Sequence, residues 1–146
     1  MSGRLDWAAV VAPSELSDVA DDLLTYERVI MNPGSTWDYF PGHFDPDYAR
    51  AQGQPTIFVN TMHLAGFVDR AAIDWAGPLS RVVRRSISLA RSVYAGDTMT
   101  ARRRITGKRR DGERWFVELH VDIVNQRGEL CVPAEVTLDV SKAVQP

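Results

Sequence analysis

Apolar and polar positions alternate most strictly from Glu113 to Asn125, where Trp115, Val117, Leu119, Val121 and Ile123 fall on one side of an extended chain. A period of two gives a strand with one dry face and one wetter face. Strands are also expected at Val82–Val93, Thr98–Thr106 and Leu130–Val140. They are separated by turn signals at Ala95-Gly96-Asp97, Arg110-Asp111-Gly112 and Arg127-Gly128. Upstream the period changes. Thr61 to Trp75 is apolar on more than one face, with Asn60 as N-cap and Gly77-Pro78 as stop, so a buried helix is predicted. Asp45 with Pro46 predicts a short helix to Ala51. Leu24–Met31 reads as a strand closed by Asn32-Pro33-Gly34. Val10, Val11, Leu16, Val19, Leu23 and Leu24 give a loose helical spacing broken by Pro13, with Ser14 or Ser17 as cap. A buried helix followed by several long antiparallel strands is an α+β pattern, a sheet curled around a central helix.

Length and composition narrow the picture. A chain of 146 residues suits one domain (1–146), with 1–24 the less certain N-terminal extension. Such a chain buries roughly two-thirds of its unfolded surface and needs no staple. A net charge of −2 argues against nucleic-acid binding. One cysteine, Cys131, excludes an intrachain disulfide, and three histidines without tight carboxylate spacing predict no metal site. No membrane span and no secretory signal are read from the pattern, so a cytoplasmic protein is expected. No Gly-rich phosphate loop is present, and no cofactor is expected. Arg81, Arg84, Arg85, Arg91, Arg102–Arg104 and Lys108–Arg110 form a basic half, expected to solvate the outer faces of strands, with some members available to phosphates.

The chemistry-bearing stretch is Trp37-Asp38-Tyr39-Phe40-Pro41-Gly42-His43-Phe44-Asp45. It holds a carboxylate and an imidazole five residues apart in a segment stiffened by Pro41 and relieved by Gly42. Two proton-handling groups on one rigid loop suit the gripping of a single water. This stretch resembles the hydratase signature Asp-x-Asn-Pro-x-His-x-Asp of the MaoC-like family, with Asp38, Pro41, His43 and Asp45 on its Asp, Pro, His and second Asp. Thr56-Ile57-Phe58-Val59-Asn60, Asp74-Trp75-Ala76-Gly77-Pro78 and Ala95-Gly96-Asp97-Thr98 resemble further family segments. The likeness runs from Tyr26 to Val140 and leans toward acyl dehydratases that include subunits of steroid side-chain enoyl-CoA hydratases.

The resemblance implies a hot-dog fold and a hydro-lyase acting on a 2-enoyl or 3-hydroxyacyl thioester of coenzyme A or a carrier protein. It implies catalysis by Asp38 and His43, an oxyanion donor at the helix start (Asn60, Thr61), and a homodimer or a heteromer with a related hot-dog subunit. Where the family commonly has Gly and Asn beside the pair, this chain has Trp37 and Phe40. With His63, these rings are candidate pocket residues, expected to dry the site and favour a bulky apolar acyl group. The alternatives are a hot-dog thioesterase using Asp69 or Asp74, and a non-catalytic subunit of a heteromeric hydratase. His120 is expected on the wetter face of its strand without a role, and Cys131 as core filler.

Overall fold

The computed structural model describes residues 4–145. In chain order its elements are β1 (Leu5–Asp6), β2 (Ser14–Ala20), α1 (Tyr26–Thr36), a 3-10 turn (Pro41–His43), α2 (Pro46–Ala51) and α3 (Thr61–Ala76). Then come β3 (Arg81–Ile87), β4 (Met99–Asp111), β5 (Arg114–Asn125), β6 (Leu130–Asp139) and β7 (Val144–Gln145). Five strands form an antiparallel sheet in the order β2-β4-β5-β6-β3, and β1 and β7 pair in parallel as a small second sheet. The inward residues of β5 and β6 (Leu119, Val121, Ile123; Val132, Ala134, Val136, Leu138) are buried. They meet Leu64, Phe67, Val68, Ala71 and Ala72 of α3 in one core. The molecule is an α+β hot-dog, a sheet wrapped around one helix.

The predicted buried helix is α3. The Asn60 side chain accepts from the His63 amide at its start, and Gly77, at φ 84°, closes it. The period-two strands are also found, with β4 running on to Asp111. Past Ile87 the expected strand gives way to an irregular run, although Ser88, Ala90 and Arg91 still donate backbone hydrogen bonds to Pro133 and Cys131. Among the described residues no helix is long and apolar enough to cross a membrane.

Two elements differ from the sequence pattern. The helix expected near Ser14 or Ser17 is strand β2. A register shift between Leu16 and Val19 places both on the inner side three residues apart, which imitates a helical period. The strand expected at Leu24–Met31 is helix α1. Thr25 caps it by accepting from the Arg28 amide, and it buries Val29 and Pro33, one turn apart. Pro33 and Gly34, read as a turn, lie within its last turns. Trp37 ends it at φ 58°, its amide bonded to the Pro33 carbonyl.

A third departure concerns Arg103, which faces inward on β4 instead of solvating the outer face. It is 5% exposed and donates to the Ser17 carbonyl at 2.9 and 2.5 Å and to the Ala71 carbonyl at 2.6 Å. Burial lowers its pKa from the usual guanidinium range, opposed by Asp74 and Asp18. Cys131 is buried and free.

Candidate active site

The site lies at the N-terminal end of α3, where three distant stretches are laced together by backbone bonds. The Phe58 amide donates to the Gly42 carbonyl (3.2 Å), Val59 N to Val93 O (2.8 Å), and Ala95 N to Ile57 O (3.0 Å). The 3-10 turn Pro41–His43 hangs on this lattice. Pro41 sets its first φ, and the turn buries Gly42 and His43. Asp45 then caps α2, accepting from the amides of Asp47 and Tyr48.

Asp38 and His43 are brought together. Asp38 Oδ2 stands 3.5 Å from His43 Nε2. His43 is 8% exposed, and its Nδ1 lies 2.8 Å from the Phe58 carbonyl oxygen. A carbonyl only accepts, so the neutral ring carries its proton on Nδ1 and turns the Nε2 lone pair toward Asp38. Asp38 is fixed separately. Its amide donates to Pro33 O at 3.0 Å, and Asn60 Nδ2 donates to its Oδ2 at 3.2 Å. The fully buried Asn60 therefore has two duties, capping α3 through Oδ1 and holding the carboxylate through Nδ2. Thr61, the first residue of α3, stands beside it. Amides of a first helical turn have no intrahelical acceptor and lie at the positive end of the dipole.

Each member of the pair lines a different cleft. His43 lines one of about 200 Å³, with Phe58, Val59, Thr61, Leu64 and Leu89–Ser92. Asp38 lines the other, of about 400 Å³, with Ile30, Pro33, Gly34, Tyr39 and Phe44. A larger cleft of about 490 Å³ near Pro78–Arg81 and Asp139 lies beyond the far end of α3, away from the pair.

The other candidates are scattered. Phe40 packs edge-on to His43, with centroids 5.3 Å apart, and also touches Tyr48 and Phe58. Trp37 is 77% exposed, edge-on to Tyr39, and lines neither cleft, so it does not dry the pair. His63 faces a different cleft, with Asp21, Arg28, Asn32 and Arg70. Burial lowers its pKa, with Asp21 opposing and Arg28 reinforcing the shift. Asp69 pairs with Arg85 and Asp74 with Arg70, and neither lines the cleft of His43. Burial raises the Asp69 pKa against the opposing charge of Arg85. His120 lies between Glu135 and Asp122 across the sheet.

Sequence reasoning passed over the Phe58 carbonyl, which sets the histidine tautomer. A backbone acceptor fifteen residues away leaves no side-chain signal. It also passed over the packing reason for Gly42. A Cβ there would lie 2.6 Å from Phe40 Cε1 and 2.9 Å from Phe58 Cε1.

The sequence model of the family described as "MaoC like domain" matches residues 17–126. The chain belongs to the MaoC-like family. A curated relative, the 3-oxo-4,17-pregnadiene-20-carboxyl-CoA hydratase beta subunit of Mycobacterium tuberculosis, is 39% identical over 72 residues. That match covers 49% of this MaoC-like chain and 56% of the relative, so it spans little more than half of the relative's length. The crystal structure of the ChsH1-ChsH2 complex from M. tuberculosis superposes with a TM-score of 0.79 at 30% identity. It covers 88% of this chain and 97% of that one. An (R)-hydratase from A. caviae involved in PHA biosynthesis shares the fold, with a TM-score of 0.77 at 24% identity, over 89% and 96% of the two chains.

The double duty of Asn60 is separable by mutation. Asn60→Asp keeps an N-cap acceptor, whereas Asn60→Ala loses it and about 0.5–2 kcal/mol with it. The new carboxylate would face Asp38 where an amide donor stood, and like charges raise a carboxyl pKa. The acidic limb of the pH–rate profile should therefore move to higher pH in Asn60→Asp. An unmoved limb would show that Asn60 acts on the helix alone.

Proposed function

We propose that this MaoC-like chain adds water to a trans-2-enoyl thioester, or removes it from the 3-hydroxyacyl product. The observation carrying this reading is the Asp38–His43 pair, held 3.5 Å apart with the histidine lone pair turned toward the carboxylate. Two acceptors facing each other fit a water that donates one O–H to each. Such a water is held with its own lone pairs free to meet Cβ of the substrate.

In the hydration direction, the water oxygen bonds to Cβ while one member of the pair takes a water proton. The π electrons move toward the thioester oxygen, and the enolate charge is received by the Thr61 amide at the start of α3. The proton held by the pair then passes to Cα. The pair ends as it began, one water has been added, and both new bonds form on the face of the alkene turned to the pair. General acid–base assistance of this kind contributes typically ~10²–10⁴-fold.

The substrate is carried by coenzyme A or a carrier protein. The relative's name, a coenzyme A thioester hydratase, supports the former. That relative is a beta subunit and the ChsH1-ChsH2 structure is a complex, which supports assembly with a second hot-dog subunit, identical or related. Among the described residues, the edge strands β2 and β3 each have one strand neighbour in the sheet, which leaves their outer sides to a partner's strand.

The deciding assay follows a panel of trans-2-enoyl thioesters by loss of conjugation and, in parallel, by release of free thiol. Hydration consumes the conjugated absorbance without thiol. Thiol release without hydration would overturn the proposal in favour of a thioesterase. Absence of both, with the chain alone and with a hot-dog partner subunit, would make it a non-catalytic subunit.

A further inference from the structure

The side chain of Asn60 joins three segments of the chain. Its Oδ1 accepts from the His63 amide in α3, and its Nδ2 donates to Asp38 Oδ2. A carboxamide has a second N–H to place. Here that hydrogen goes to Thr36 Oγ1, 3.2 Å away in the last turn of α1. Thr36 can only accept in this bond. Its own proton is donated to the Asn32 carbonyl at 2.9 Å, one helical turn back. Ser35 beside it donates to the same carbonyl, also at 2.9 Å, and among the described residues its side chain bonds nothing else.

We infer, resting on the hydratase reading, that Thr36 is a positioning residue, which acts through Asn60 to fix where the Asp38 carboxylate stands against His43. The terminal torsion of an asparagine is broad, so a cap bond through Oδ1 leaves the plane of the amide loosely set. An acceptor on each Nδ2 hydrogen fixes that plane. Asn60 is fully buried, and a buried N–H without a partner is costly. Without the Thr36 hydroxyl the amide therefore turns toward another acceptor and takes its bond to Asp38 with it. The end of α1 thus holds Asp38 twice. Its amide is bonded to the Pro33 carbonyl, and its carboxylate is reached through Thr36 and Asn60. His43 is held separately, by the Phe58 carbonyl. The 3.5 Å between the pair is set by how α1 docks on the start of α3.

Thr36 is exposed and lines neither cleft at the pair, so its effect should fall on turnover and not on substrate binding. The experiment measures kcat and KM on whichever trans-2-enoyl coenzyme A thioester of the panel above the wild type hydrates fastest, in the same assembly state throughout. Thr36→Val exchanges the hydroxyl for a methyl of similar size and should lower kcat about fivefold or more, with KM within about twofold. Thr36→Ala, the second variant without a hydroxyl, should show the same split. Thr36→Ser keeps the acceptor and should stay within about twofold of the wild type. Ser35→Ala gives up an equivalent bond to the Asn32 carbonyl and should leave both constants unchanged, which separates positioning from a merely structural role in α1. In an Asn60→Ala background, Thr36→Val should cost less than about twofold more, because the residue it acts through is gone.

A wild-type kcat in both Thr36→Val and Thr36→Ala overturns the inference, and so does a loss in Thr36→Ser equal to that in Thr36→Val. An undiminished fall in the Asn60→Ala background would show that Thr36 does not act through Asn60, and the inference fails. A fall of the same size in Ser35→Ala would assign the effect to the end of α1 as a whole, with the same result. Hydration of no member of the panel by the wild type overturns the hydratase reading, and this inference with it.

Discussion

Asp38→Asn is expected to lower kcat/KM for hydration by ~10²-fold or more while leaving the fold intact. The carboxamide fills nearly the same volume and still accepts from Asn60 Nδ2, but it removes the negative charge that in the proposed mechanism orients the water and helps take its proton. His43→Ala should cost at least as much, because it removes the Nε2 lone pair. It also leaves the Phe58 carbonyl without its donor, and an unpaired buried acceptor costs about 1–3 kcal/mol. Its melting temperature should therefore fall where that of Asp38→Asn does not. In the proposed mechanism the two residues act on one water, so the double variant should be scarcely worse than the weaker single. Turnover of either single variant near that of the wild type, on a substrate the wild type hydrates, would remove the pair from the mechanism.

Gly42→Ala should be nearly as damaging to turnover, although residue 42 touches no substrate in the proposed mechanism. Its new methyl would meet ring carbons of Phe40 and Phe58 at 2.6 and 2.9 Å, distances that require both rings to move. Those rings pack edge-on against the His43 imidazole, with centroids 5.3 and 4.9 Å away. A shift of the histidine by a fraction of an ångström changes its spacing from Asp38, and misplacement on this scale can cost about 10²-fold. The fall should appear in kcat more than in KM. Shrinking the obstacle provides the control: Gly42→Ala combined with Phe40→Leu should recover part of the lost kcat. No recovery would mean that glycine is required there for another reason.

How much of this was legible in the sequence depends on which residues carry the signal. Strand β5 was readable because Leu119, Val121 and Ile123 alternate without a break, and α3 because Asn60 and Gly77 mark its ends in chemistry as well as in hydropathy. Strand β2 was not, because its bulge turns a period of two into a spacing of three. Helix α1 was hidden by Pro33 and Gly34, which are turn residues in most settings. Here they sit in the last turns, where the proline's missing N–H sacrifices a single hydrogen bond. Asp38 and His43 were found through their spacing and the likeness of the whole stretch to a known signature. Their neighbours were harder. Arg103 looks like one more surface cation until the sheet turns its face inward. Trp37 looks like a pocket wall until the end of α1 points it outward. In each case the deciding fact is which way a backbone segment is rotated, and side-chain identity alone does not carry that.

The lacing of Gly42 to Phe58, Val59 to Val93 and Ala95 to Ile57 has a consequence for how the site breathes. His43 receives its orientation from a carbonyl that belongs to the same short run as the Ile57 and Val59 backbone bonds to Ala95 and Val93. Opening the turn means breaking bonds that also join the start of α3 to the chain entering β4. The cost of such opening lies closer to that of global unfolding than to that of loop fraying. The chain then has no cheap, locally melted state in which the core is intact and the geometry of Asp38 and His43 is lost, so loss of that geometry and loss of the fold should coincide as one transition.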